Sequence, residues 1–176
     1  MRFGQIRSMD IANGLGIRVS LFVTGCRFNC KGCFNREYQD FLHGEVFGRE
    51  QLELILNYLN HDYISGLTIL GGEPFQNEKE LLLPVKEVRK FIDDYNSCHD
   101  RDQFKNIWIY SGYTFEQICA DEYKLELLKL CDVLVDGLFE IDKLDLNLRF
   151  RGSSNQRIVD IRSSLIKNSV IEYDVG

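Results

Sequence analysis

The sequence predicts one α/β domain over residues 1–176, built as an open, partial (β/α) barrel on a mostly parallel sheet. Three observations predict it. Short apolar runs of strand length alternate with longer stretches of helical periodicity, as in βαβ units. The clearest of these runs end in loops of glycine and polar residues. The chain has 176 residues, short of the ~250 that eight βα units occupy, so the barrel stays open. Two prolines, no low-complexity stretch and no internal repeat give no sign of a linker.

The elements follow in order. Residues 19–23 (Val-Ser-Leu-Phe-Val) read as a buried strand that ends at a cysteine-rich loop. Residues 49–60 carry helical periodicity. Residues 67–70 form a short strand ending at Gly71-Gly72. Asn77 followed by Glu80 resembles a capping arrangement and opens a helix to about residue 95. Residues 107–110 are a strand ending at Ser111-Gly112. Thr114 with Gln117 forms a capping box and opens a helix to about residue 130. Residues 133–135 are a strand ending at Asp136-Gly137. Residues 138–156 read as irregular, 157–161 as a further strand, and the last fifteen residues carry no clear pattern. Right-handed crossovers bring the strand ends to one rim, where α/β folds keep their ligand sites.

Composition narrows the function classes. Hydrophobic residues make up 44% and charged residues 27%, as in an ordinary soluble domain. No apolar run approaches the ~20 residues that span a membrane. The net charge of −6 argues against nucleic acid as a partner. Residues 1–36 nevertheless net +5, from Arg2, Arg7, Arg18, Arg27, Lys31 and Arg36 against Asp10, and the remainder nets −11. That basic stretch is either a solvated surface, a docking face for an acidic partner, or countercharge for a carboxylate.

It coincides with Cys26, Cys30 and Cys33, spaced C-x3-C-x2-C, with no fourth cysteine before Cys98. The sequence opens without a secretory signal, so reduced, cytoplasmic thiols are expected rather than disulfides. A structural zinc site is an alternative, but the nearest histidine, His43, lies ten residues beyond Cys33. A [4Fe-4S] cluster fits better: it usually takes four protein thiolates, and three leave one iron open to a small molecule. Cys119 and Cys131 fall in apolar-periodic sequence and read as buried core thiols.

Gly71-Gly72-Glu73-Pro74 directly follows a strand. Its glycines let a ligand approach the backbone, and Glu73 offers a carboxylate to an ammonium group. S-adenosylmethionine suits both motifs. Its amino and carboxylate groups can chelate the open iron, Glu73 can hold its ammonium, and Phe34 can pack on its adenine. Arg151-Gly152-Ser153-Ser154-Asn155-Gln156-Arg157 is dense in hydrogen-bonding groups and reads as a further substrate or cofactor loop. Ser111, Asp136, Arg151, Ser153 and Asn155 are thus additional candidate site residues.

Together these residues resemble the radical S-adenosylmethionine superfamily, and within it the activases of anaerobic (class III) ribonucleoside-triphosphate reductases. Cys-Lys-Gly-Cys-Phe-Asn at 30–35 carries the likeness, with Asp10–Arg18, Trp108–Tyr113, Leu134–Gly137 and Arg151–Gln156. It covers about residues 1–162 and leaves 163–176 unassigned. Gly32 stands where many superfamily members have an aromatic residue, and Leu15 where related activases often have proline. The resemblance implies an oxidoreductase with Cys26, Cys30 and Cys33 on the cluster. Gly32, Cys33, Phe34, Gly71, Gly72 and Glu73 would contact S-adenosylmethionine. It implies reduction by a flavodoxin- or ferredoxin-like protein, homolysis to a 5′-deoxyadenosyl radical, and hydrogen abstraction from a glycine of the reductase. A homodimer or a complex with the reductase is the assembly to expect. An activase of another glycyl-radical enzyme, or a non-catalytic zinc- or cluster-binding module, is the alternative.

Overall fold

The computed structural model describes residues 1–176, apart from the side chain of Asp102. Its strands are β1 (Arg2–Asp10), β2 (Ile17–Val23), β3 (Glu45–Val46), β4 (Ile64–Gly71), β5 (Asn106–Tyr110), β6 (Val133–Asp136) and β7 (Arg157–Asp160). Its helices are α1 (Arg49–Leu59), α2 (Glu78–Ser97), α3 (Phe115–Cys119), α4 (Glu122–Leu128) and α5 (Ile161–Lys167). The strands form one seven-stranded sheet in the order β3-β1-β2-β4-β5-β6-β7.

The expected open partial (β/α) barrel with a mostly parallel sheet is therefore corrected to a mixed sheet. The β2–β4, β4–β5 and β5–β6 pairings are parallel. The β1–β2, β1–β3 and β6–β7 pairings are antiparallel. The connections explain the difference. Parallel neighbours need a crossover of a dozen or more residues, usually a helix. Only α1, α2 and the α3–α4 pair supply one. Residues 11–16 are too few for a crossover, so β1 returns beside β2 as a hairpin. The stretch before β7 contains no α-helix, and β7 runs back against β6.

Local expectations mostly hold within a few residues. The Thr114–Gln117 capping box forms, with bonds of 2.9 and 3.3 Å. The helix it opens is split in two, because Asp121 caps a second helix through the N–H groups of Tyr123 and Lys124. Asn77 does not cap α2; its amide donates to the Thr24 and Glu73 carbonyls, both at 3.1 Å. Cys131 is buried, whereas Cys119 is only half-buried. The unread ends also become elements: β1 precedes β2, and α5 follows β7, capped by Asp160.

Alternation along the strands sorts the core into two faces. Val19, Leu21, Val23, Leu67, Ile69, Ile107, Ile109 and Leu134 meet the apolar sides of α1 to α4. The intervening residues Phe22, Leu70, Trp108, Val133, Val135 and Ile158 point the other way and meet no long helix. Phe150, Tyr173 and Val175 cover part of that second face, and the rest lines a cavity.

Arg18, counted above with the surface cations, is fully buried on the second face. Its Nε donates to Thr68 Oγ1 at 2.7 Å, and Nη2 donates to the Leu67 and Asn106 carbonyls at 2.8 and 3.0 Å. Nη1 donates to the Leu15 carbonyl at 3.2 Å, and the guanidinium lies 5.4 Å from the Trp108 ring. Thr68 in turn donates to the Asn13 carbonyl at 2.8 Å. One arginine thereby ties residues 13–15 to the middle of β4 and the start of β5. Burial lowers its pKa to about 10, so it stays charged at neutral pH. We expect Arg18→Met to lower stability by about 1–3 kcal/mol through the carbonyls it leaves unpaired. A fall in the urea midpoint checks this; an unchanged midpoint refutes it.

Candidate functional site

The parallel strands β2, β4, β5 and β6 end on one side, and their following loops meet there. Gly72 N–H donates to the Val23 carbonyl at 2.7 Å and Glu73 N–H to the Gly25 carbonyl at 2.8 Å. Gly25 N–H donates to Tyr38 at 2.8 Å and Cys26 N–H to Gln39 at 3.0 Å. The cysteine loop is thus stitched to the end of β4 on one side and to residues 38–39 on the other. Gln76 adds a side-chain bond to the Arg27 N–H at 2.9 Å.

The glycine pair answers to this backbone crowding. A Cβ at Gly71, where φ is +108°, would stand 2.6 Å from the Val23 carbonyl oxygen. One at Gly72 would stand 2.7 Å from the oxygens of both Gly25 and Tyr38. Ligand access is not the only reason for these glycines; neighbouring main chain leaves no room for a side chain.

Glu73 is buried, 1% exposed. Its Oε1 accepts from Phe75 N–H at 3.0 Å and Ser111 Oγ at 2.9 Å, and Oε2 accepts from Gly112 N–H at 2.8 Å. Burial dominates over these donors and raises its pKa to about 7.

A cavity of about 590 Å³ opens beside these loops, within the range of small-molecule sites. Cys26, Cys30, Cys33, Phe34, Gly71, Gly72, Glu73, Ser111 and Arg151 all line it. The three cysteines are half-buried free thiols. Burial raises the pKa of Cys26 to about 11 and also raises that of Cys30. The Phe28 and Phe139 backbone N–H groups bond to these two sulfurs and oppose the shift. Among the described residues, no three His, Cys, Asp or Glu side chains are gathered closely enough for a single ion.

Other candidates sit behind the wall. Gly32 has a φ of +73° and is not a lining residue; a Cβ there would meet Ile141 at 3.0 Å. Asp136 is buried against Arg157, with bonds of 2.9 and 2.5 Å, and accepts from Phe115 N–H at 2.7 Å. Ser153 Oγ accepts from Glu140 N–H, and the Asn155 amide donates to the Leu138 carbonyl. Ser153 and Asn155 fasten the 138–156 segment, and Asp136 ties β7 to the start of α3. Lining residues that the sequence reading missed include Arg7, Asn13, Phe22, Phe28, Tyr110 and Phe139. Phe34 is exposed and packs against Phe139, with centroids 5.0 Å apart. Strand alternation marks Phe22 and Tyr110 as one face; nothing periodic marks Phe139.

A family model described as a 4Fe-4S single cluster domain matches residues 12–159. An anaerobic ribonucleoside-triphosphate reductase-activating protein of Pasteurella multocida is 39% identical over 162 residues, covering 90% of this chain and 96% of that protein. The chain belongs to the family of anaerobic ribonucleoside-triphosphate reductase-activating proteins. Relatives of the same name are 37% identical in Enterobacteria phage T4 and 34% identical in Escherichia coli K12. They cover 90% and 92% of this chain, and it covers 93% and 100% of them. Membership in this activating-protein family and the cluster-domain match decide between the metals left open above, in favour of iron–sulfur. Among the described residues, no helix is long and apolar enough to cross a membrane.

Glu73 gives this site a pH signature. A carboxyl whose pKa rises from 4.5 to about 7 on folding binds its proton more tightly in the folded state. Its contribution is fully present below pH 4.5 and is lost as pH rises through 7, by about 3 kcal/mol. We expect the metal-free protein to lose stability between pH 5 and 8 relative to Glu73→Gln. Parallel pH profiles of the two urea midpoints would refute it.

Proposed function

We propose that the chain is the activase of an anaerobic ribonucleoside-triphosphate reductase, with a [4Fe-4S] cluster on Cys26, Cys30 and Cys33 and S-adenosylmethionine beside it. One observation carries the reading: three thiols from a single loop line the same cavity as the loops that end β4 and β5. No other cysteine lines that cavity. Three protein ligands leave a fourth iron for a cofactor.

Glu73 suits the cofactor's ammonium. Its Oε2 accepts only from Gly112 N–H among the described residues, and a carboxylate oxygen takes more than one donor. A cation beside it would also hold the carboxylate ionised against burial. Phe34 and Phe139 offer adjoining rings to the adenine. Gly152 makes room for them, since a Cβ there would approach both at 3.0 to 3.1 Å. Held by Cys26, Cys30 and Cys33 and reduced by one electron from the donor, the cluster would cleave bound S-adenosylmethionine to methionine and a 5′-deoxyadenosyl radical, which would become 5′-deoxyadenosine on taking hydrogen from the Cα of a glycine in the reductase. The decisive experiment adds the anaerobically reconstituted protein, S-adenosylmethionine and a reductant to the reductase. A glycyl-radical resonance is expected; its absence refutes the reading.

The ligand assignment has its own test. Cys26→Ala, Cys30→Ala and Cys33→Ala should each abolish the catalytic cluster, whereas Cys98→Ala, Cys119→Ala and Cys131→Ala should keep it. Iron content and visible absorbance decide. Iron lost from Cys98→Ala but kept in Cys30→Ala would overturn the assignment.

A small acidic electron-transfer protein is the proposed donor. Arg27, Lys31 and Arg36 are exposed and flank the cysteines, in a chain whose net charge is −6. Complementary charge mainly raises association rates and makes them salt-sensitive. Changing all three to Gln should slow reduction by such a donor and flatten its salt dependence, with much less effect on a small chemical reductant. Cofactor affinity measured on the same variant separates a docking role from an Arg27 contact to the cofactor. A wild-type rate and salt response would place the docking face elsewhere.

A further inference from the structure

One wall of the cavity has no part in the cofactor reading. Arg7 reaches it from the middle of β1, in register with Ser20 of β2. The guanidinium carbon lies 4.6 Å from the centre of the Phe22 ring, and Nε donates to Gln5 Oε1 at 3.1 Å. Gln5 is held in turn, donating to the hydroxyl of buried Tyr38 at 2.7 Å. The plane of the guanidinium is therefore set before a ligand arrives. Its two Nη atoms have no hydrogen-bond partner among the described residues. Asp10 lies 3.9 Å from Nη1, beyond hydrogen-bond length. The Asp10 oxygens accept instead from Ala12 N–H at 2.8 Å and Asn13 Nδ2 at 2.7 Å. The Arg7 side chain is 47% exposed. It is oriented, charged, and has its fork to spare.

Position and charge narrow what the fork can hold. Ser20 lies three residues before Val23, where β2 ends, which is about 10 Å at ~3.3 Å per residue. The activase reading gives the cofactor's carboxylate to the open iron, which leaves the fork for another ligand. Asp10, with hydrogen bonds that favour its ionised form, already balances part of the arginine's charge and repels a phosphate. A neutral main-chain carbonyl suits a half-balanced guanidinium. A glycine has no side chain to recognise, so a segment that carries one has to be held by its backbone. Leu146, Leu148 and Phe150 also line this cavity and offer apolar contact to such a segment.

We propose that Arg7 binds a main-chain carbonyl of the reductase segment next to its target glycine, and so positions the Cα for hydrogen abstraction. This inference rests on the activase reading. The test measures glycyl-radical formation against reductase concentration for the reconstituted wild type, Arg7→Met and Arg7→Lys, with S-adenosylmethionine affinity from anaerobic calorimetry. Loss of a charge-assisted bond should raise the KM for the reductase about ten- to a hundredfold in Arg7→Met, with a smaller effect on kcat. Arg7→Lys keeps the charge but not the planar fork, and should recover only part of the loss. An unchanged KM in Arg7→Met overturns the proposal. So does wild-type behaviour of Arg7→Lys, or a loss of cofactor affinity as large as the rise in KM. Absence of the radical signal in the wild type overturns the activase reading and this proposal with it. Its presence beside an unchanged Arg7→Met overturns this proposal alone.

Discussion

The buried carboxylate of Glu73 holds the site together. Its main chain bonds to Gly25 in the loop after β2, and its side chain bonds to Ser111 and Gly112 after β5. Glu73 itself follows β4, so one residue joins the ends of three neighbouring strands. Burying a carboxylate is costly unless donors surround it, and three donors do so here. The cost that remains appears in its raised pKa. A cation at this position would reduce that cost, so the same group that fixes the loops also favours a positively charged ligand.

The legible part of the fold was whatever repeats. Strand and helix alternation marked β2, β4, β5 and β6 and the helices between them, because each buries one face on a common core. Topology was misread where the connections lack helices. Nothing apolar and periodic separates β1 from β2, or β6 from β7, and a chain without a crossover helix returns antiparallel. β1 itself was missed because its burial alternates irregularly and it includes polar Gln5, Arg7 and Ser8. The Glu78–Ser97 helix was found although Asn77 spends its amide on Thr24 and Glu73 rather than on a cap. Periodicity outweighed a wrongly read start signal.

The site was legible in a different way. Cysteine spacing and the Gly-Gly-Glu run announce chemistry because few other roles need those residues together. Cys26, Cys30, Cys33, Phe34, Gly71, Gly72 and Glu73 do line one cavity. Asp136, Ser153 and Asn155 look equally functional in sequence, yet their polar atoms brace the chain. Asp136 is committed to Arg157 and to the start of α3. Polar residue types reveal that bonds are made but not to what. Arg7 shows the converse: in sequence it is one cation among six, and only the stack on Phe22 and the bond to Gln5 distinguish it from solvated neighbours.

Arg7 and Arg18 show how one basic segment serves two purposes. Both lie on the hairpin of β1 and β2, and both side chains rest against an aromatic ring of the second face. Arg18 spends its donors on carbonyls in the middle of β4 and at the start of β5, and fixes residues 13–15 against the sheet. Arg7 spends one bond on Gln5 and lines the cavity with its Nη atoms unbonded among the described residues. The difference follows from neighbours. Arg18 faces the carbonyls of Leu67 and Asn106 across the sheet, whereas Arg7 lies on β1 beyond its pairing with β3, which involves only Arg2 and Phe3. With no strand on its β3 side, this part of β1 presents a cation to the same cavity that holds the thiols.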